Sequence, residues 1–152
     1  MSAGYKIAES VLVVIHAGPA HVLVMRRTDM GTWQSVTGSK AHPDEAFADT
    51  AAREVKEETG LDVHAPGAVL SDCAWENHYP IYPSFVHRYA PGTTHNSERV
   101  FALRLVQVPK VVLNPREHTD YRWLPWVQAC EQVYSPSNAW AIARLFDAEA
   151  RA

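Results

Sequence analysis

Apolar positions in this chain follow two rhythms. Residues 11–15 (VLVVI) form an unbroken, β-branched run, the pattern of a strand buried on both faces. Gly18-Pro19 predicts a turn and residues 21–27 (HVLVMRR) its hairpin partner. A third extended segment is expected over 33–37 (WQSVT), and further strands over 69–75 (VLSDCAW), 99–106 (RVFALRLV) and 121–124 (YRWL). Residues 76–94 carry Pro80, Pro83, Pro91 and Gly92, and are expected to be irregular. Pro125 is placed in the first turn of a helix reaching Val133. A second helix follows Ser137-Asn138, with Ala141, Leu145 and Ala148 facing inward.

The helical rhythm is clearest over 45–59. Ala48, Ala51, Ala52 and Val55 recur at helical spacing, and Gly60 supplies a residue suited to a left-handed helix end. Beside that stripe stand Glu54, Glu57 and Glu58, at i, i+3 and i+4. Three carboxylates on one arc repel, each like-charge pair costing roughly 0.2–0.5 kcal/mol on an isolated helix. A hard divalent cation, Mg²⁺ or Mn²⁺, turns the same arc into a site by taking carboxylate oxygens and filling its other positions with water and phosphate. The bland alternative is a solvated acidic face, partly neutralised by Arg53 and Lys56.

The residues around the trio favour the site. Glu45, Arg53, Glu54, Val55, Glu57, Glu58, Gly60 and Leu61 stand in the order E-x7-R-E-V-x-E-E-x-G-L, with Gly38 upstream. This resembles the signature of the Nudix hydrolases, G-x5-E-x7-R-E-U-x-E-E-x-G-U, where U is a bulky aliphatic residue. Six residues rather than five separate Gly38 from Glu45. The extra residue is assigned to the loop, because an insertion inside the helix would turn the carboxylate face by about 100°. Glu45, not Asp44, is therefore read as the signature acid, and it is expected to open the helix. The resemblance implies an α/β fold, an α/β/α sandwich with a mixed sheet, spanning residues 1–152 as one domain. It also implies a metal-dependent hydrolase of diphosphate linkages.

Composition sets bounds on that reading. A chain of 152 residues with 47% hydrophobic and 20% charged content is ordinary for one globular domain. The net charge of −3 leaves no electrostatic footprint for nucleic acid, which weighs against binding to an RNA 5′ end. Cys73 and Cys130 lack metal-type spacing and are read as unpaired thiols of a reducing compartment. No signal peptide or membrane span is evident, so a cytoplasmic protein is expected. The oligomeric state is left open, with a monomer slightly favoured.

Other candidates lie outside the helix. Arg26 and Arg27, adjacent on a strand, point to opposite faces, so at most one can serve as a phosphate clamp. Glu117 lies in a late loop where many Nudix proteins carry an acidic residue serving as base or extra metal ligand; His118 is read as a polar loop residue. WQSVTGS (33–39), HRYAPG (87–92) and the Glu117-His118 to Trp123-Leu124 pattern resemble one Nudix branch, which acts on dihydroneopterin triphosphate in bacterial folate synthesis. That resemblance implies substrate contacts from Trp33, Gln34, Gly38, Arg88 and Tyr89. It makes Glu54, Glu57, Glu58 and Glu117 the metal ligands, with one of them the base, and has Arg53 orient a neighbouring glutamate. Hydrolysis of nucleoside triphosphates or oxidised nucleotides is the alternative, followed by a Nudix-shaped binding module without turnover.

Overall fold

The run of β-branched residues becomes the spine of a mixed sheet. In the computed structural model, which describes residues 4–151 with side chains through residue 147, strand β1 spans Glu9–Ala17 and is buried along nearly its whole length. It pairs in parallel with β6 (His95–Leu105) and antiparallel with β2 (His21–Arg27) and β4 (Val36–Ser39). β6 pairs with β5 (Ala68–Pro80), and β2 with β3 (Trp33–Gln34) and β7 (His118–Pro125). The result is one seven-stranded sheet.

Because successive side chains of a strand point to opposite faces, β1 feeds two cores. Val11, Val13 and Ile15 join Ala51 and Val55 of helix α1 (Phe47–Thr59), together with Leu23, Met25 and Phe101. Leu12 and Val14 join Ala129 of α2 (Trp126–Gln132) and Ala141, Ile142 and Phe146 of α3 (Pro136–Arg151). Helices thus cover both faces, giving the expected α/β/α sandwich. Among the described residues, no helix is long and apolar enough to cross a membrane.

Several boundaries depart from the sequence expectation. α1 begins at Phe47, not Glu45, because the Glu45 carboxylate is committed outside the helix, accepting from the Ala41 backbone N–H at 2.9 Å and from Arg53. Its buried stripe runs through Thr50, Ala51, Glu54, Val55, Glu58 and Thr59. Ala48 is exposed, and Phe47 packs against the core instead. Gly60 ends the helix at φ 75°, its N–H donating to Lys56 O at 3.0 Å. The 33–37 segment breaks at Ser35 into two short strands, since Ser35 turns inward to exchange hydrogen bonds with buried Asn138 of α3. β5 continues to Pro80 and β6 begins at His95, so Glu76 to Pro80 is strand and irregularity is confined to 81–94, with one 3₁₀ turn at Val86–Arg88. Pro125 caps α2 rather than entering it. The side chain of Ala148, and residues 1–3 and 152 of the expected domain, lie outside the described ones.

Leu103 is fully buried while Val106, three residues on, is 74% exposed. Leu103→Ala is expected to destabilise by about 2–5 kcal/mol, and Val106→Ala by no more than about 0.5 kcal/mol. Urea denaturation of both variants checks the assignment of faces.

Candidate active site

The sheet forks where β1 changes partner. His16 and Ala17 pair with β2, whereas Ser10 to Val13 pair with β4; β2, paired with β7 along its length on one edge, has by then given its other edge to β3. The separation opens a cavity of about 830 Å³, within the usual range for small-molecule sites. The fork supplies Ser10, Gln34, Thr37, Gly38 and His118 to its wall, α1 supplies Glu54 and Glu58, and the 81–94 segment supplies Tyr82, Phe85, Arg88 and Tyr89.

Of the three helix carboxylates, two are gathered here. Glu54 and Glu58 are buried and line the cavity; Glu57 has a half-exposed side chain and is absent from the wall. Burial, followed by the neighbouring carboxylate of Glu54, pushes Glu58 well above the usual carboxylate range. Burial raises Glu54 as well, against a hydrogen bond from Glu58 that lowers it. Arg53 faces the other way and acts as a fork. Its Nε and Nη2 donate to Glu45 at 3.1 and 2.9 Å, Nη2 also donates to Ser39 O at 3.0 Å, and Nη1 donates to Glu54 at 3.0 Å and Glu57 at 3.5 Å. Glu45, the residue so held, has its carboxyl depressed to about 2 by the Arg53 hydrogen bonds. Asp44 is exposed.

Gly38 works through absence. A Cβ there would run into the carboxyl carbon and side chain of Glu54, so only glycine lets β4 lie this close to the helix.

Arg27 lines the cavity, held bidentately by Asp29 at 2.8 and 2.7 Å. Arg26 lies on the other side, 4.0 Å from Asp120. Gln34, Arg88, Tyr89 and Glu117 are on the wall. Trp33 is not; it packs into the second core beneath Arg122, 4.8 Å from its ring. Lys6, which the sequence reading passed over, also lines the cavity. It is open to solvent, yet the surrounding protein and then Arg88 and Arg27 lower its pKa. His118 opens β7 and is buried. Burial and then Arg27 bring its pKa down to about 4, leaving a neutral ring at pH 7.

The chemistry of this corner fits a divalent cation. Glu58, Glu117 and His118 each offer a ligand atom, all within 4.8 Å of one another. The Glu58 Oε2 and His118 Nδ1 atoms are buried without a hydrogen-bond partner, an arrangement that buried polar groups otherwise avoid. Comparison with known proteins agrees. The NUDIX domain model matches residues 6–146. The chain belongs to the NUDIX family. It is 41% identical to the dihydroneopterin triphosphate diphosphatase of Escherichia coli K12 over 143 residues, 93% of each chain. It is 37% identical to the Haemophilus influenzae protein of the same name over 142 residues, 92% of this chain and 88% of that one. The solved structure of the E. coli dihydroneopterin triphosphate pyrophosphohydrolase has a TM-score of 0.83, covering 92% of this chain and 95% of that one. NUDIX hydrolases use divalent metal ions, in keeping with the acidic cluster here.

Gly38→Ala is expected to leave the fold intact and displace Glu54, lowering kcat by about 100-fold, the effect of a misplacement near 1 Å; circular dichroism alongside turnover separates the two. Glu45→Gln is expected to destabilise at pH 7. The folded pKa of about 2 lies below the unfolded carboxylate value, so the wild-type advantage is full above that unfolded value and fades as pH falls through about 2. Urea midpoints of wild type and variant should therefore differ more at pH 7 than at pH 3.

Proposed function

We propose that this NUDIX hydrolase cleaves dihydroneopterin triphosphate to dihydroneopterin monophosphate and pyrophosphate in a Mg²⁺-dependent reaction. The observation that carries the reading is the identity of 41% to a protein of that activity over 93% of both chains, joined to a cavity whose wall carries acidic and cationic groups together. Glu58 and Glu117, with His118 beside them, and Glu54 on the same wall would hold Mg²⁺, which Mn²⁺ can replace; Glu57, 3.5 Å from Arg53 and off the wall, would have to swing in to join them. The bound ion supplies charge neutralisation for the phosphates and a more acidic water.

The chain's own residues do the rest. Lys6, Arg27, Arg88 and Arg116, all on the cavity wall, clamp the triphosphate, with guanidinium suited to bidentate contact. Asp29 holds the Arg27 guanidinium in place. Arg53 orients Glu54 and Glu57 from behind without meeting the substrate. Glu117 is exposed to solvent and takes the proton of the attacking water. The phenyl and phenol rings of Tyr82, Phe85 and Tyr89 flank the organic end.

Glu58→Gln is expected to lower kcat by at least about 100-fold while the thermal midpoint holds or rises, because a neutral amide carries no charge to bury beside Glu54. Glu57→Gln is expected to lower kcat similarly without loss of fold. Pyrophosphate release with Mg²⁺ from dihydroneopterin triphosphate, GTP and dATP tests the substrate, and the pterin is expected to give the highest kcat/KM. Equal cleavage of all three would remove the pterin assignment and leave a general nucleotide hydrolase.

A further inference from the structure

On the α3 side of the sheet the cavity wall holds a further carboxyl group that phosphate chemistry does not use. Glu98 lines the cavity from β6 and is 5% exposed; Asn96, two residues before it on the same face, is 4% exposed. In the parallel register Glu98 lies beside Ser10. Glu98 alternates with Val100, a member of the second core, so it belongs to the sheet face under α3, away from α1. The helix carboxylates and Glu98 therefore line one cavity from opposite faces of the sheet.

The hydrogen bonding around this pair is one-sided. Glu98 accepts from Asn77 Nδ2 at 3.4 Å, Tyr79 Oη at 3.3 Å and Ser137 Oγ at 3.5 Å. All three are long for bonds to a carboxylate, which has room for about four donors. Asn96 spends its amide hydrogens on Ser10 Oγ at 2.7 Å and Tyr79 Oη at 2.9 Å, and its Oδ1 is buried with no partner. The floor of the cavity thus has acceptors to spare, so the complementary ligand edge is one rich in N–H donors.

We propose that Glu98 and Asn96 are the specificity-determining residues for the ring, reading an edge with a ring N–H beside an exocyclic amino group, as in 2-amino-4-oxo rings. The Glu98 carboxylate accepts the ring N–H and one amino hydrogen side by side, and Asn96 Oδ1 is a further acceptor for the amino group. This deepens the pterin reading and rests on it for the choice of substrate, but guanine presents the same edge. Adenine offers a bare ring nitrogen there, setting acceptor against acceptor. Burial raises the Glu98 pKa, and the donors from Asn77, Tyr79 and Ser137 counter it.

The test is kcat/KM for dihydroneopterin triphosphate, GTP and ATP with wild type, Glu98→Gln and Glu98→Asp, alongside binding of phosphate-free neopterin and guanosine without metal. In Glu98→Gln, which replaces one acceptor by a donor, kcat/KM for the pterin and GTP is expected to fall by about 100-fold. ATP should stay within about threefold, and the neopterin Kd should rise by about 100-fold, as for the pterin triphosphate. Glu98→Asp keeps the charge and withdraws it by one methylene; it is expected to fall by about tenfold in the same pattern, and it decides the matter if the Gln variant does not fold. Equal losses on all three substrates, or an unchanged ratio and Kd, would overturn the proposal by reducing Glu98 to a structural support of the α3 N-terminus. If wild type favours GTP over the pterin, the substrate reading fails alone, and the guanine-to-adenine ratio still decides the role of Glu98. If no triphosphate is turned over, the two binding constants decide it.

Discussion

Two carboxylates of one helix are buried against the edge of a sheet, and much of the molecule is arranged to permit it. Glu54 and Glu58 sit one turn apart on α1, and burial raises the pKa of each. Like charges in a poorly solvated corner oppose folding. Arg53 is the counterweight: its guanidinium meets Glu54 and Glu57 while being fixed from behind by Glu45 and the Ser39 carbonyl. Gly38 completes the device by withholding a side chain from the space Glu54 fills. The loop between β4 and α1 is thus shaped by one salt-bridge network, and Glu45 serves it from outside the helix. A divalent cation would reverse the local pKa logic, since its charge favours the ionised form of both carboxylates.

The same corner depends on the fork in the sheet. If β1 and β2 had stayed paired along their full length, β4 would have no edge to join, and Gly38 could not be brought under α1. Because β1 gives its N-terminal half to β4, backbone from β4 and side chains from β7 meet the helix on one side. Ser10, still on β1, faces the second layer. The α1 carboxylates and the Glu98 side of the cavity are therefore connected through one strand, with α1 on one face and α3 on the other.

Most of this fold was legible because it rests on local patterns. The apolar run of β1, the stripe of α1 and the αL glycine at 60 each carry their reason in their own residues. The carboxylate spacing on α1 was legible in the same way, since the helical period alone puts Glu54 and Glu58 together. What was hidden depends on tertiary partners. Ser35 breaks an extended segment only because Asn138 is waiting for it. Glu76 to Pro80 reads as loop from its proline and polar residues, yet all five residues pair in register with β6. That missed strand concealed Glu98. The available signal was alternation: inward positions of β6 run Asn96, Glu98, Val100, a period of two that continues into polar residues. Such a pattern marks an inward face that ends in a cavity rather than in core. Trp33 misled for the opposite reason, its aromatic ring being needed in the second core.

The cavity's electrostatics also decide which way a substrate lies. Among the described lining residues, Lys6, Arg27, Arg88 and Arg116 are cationic, and Asp29, Glu54, Glu58, Glu98 and Glu117 are acidic. A polyanion meets little net attraction from such a wall until a divalent ion joins the α1 carboxylates, which makes affinity for a triphosphate conditional on metal. The Glu98 floor stays repulsive to phosphate in either case, because its unused capacity is for accepting hydrogen bonds, not for donating them. Reversing the substrate would bring phosphate oxygens against acceptors with no hydrogens to offer, leaving the ring donors unpaired at the metal end. Buried polar groups left unpaired cost about 1–3 kcal/mol each, so two or three of them are enough to exclude the reversed pose. Orientation is thus set by a contrast between the two ends, and neither end achieves it alone.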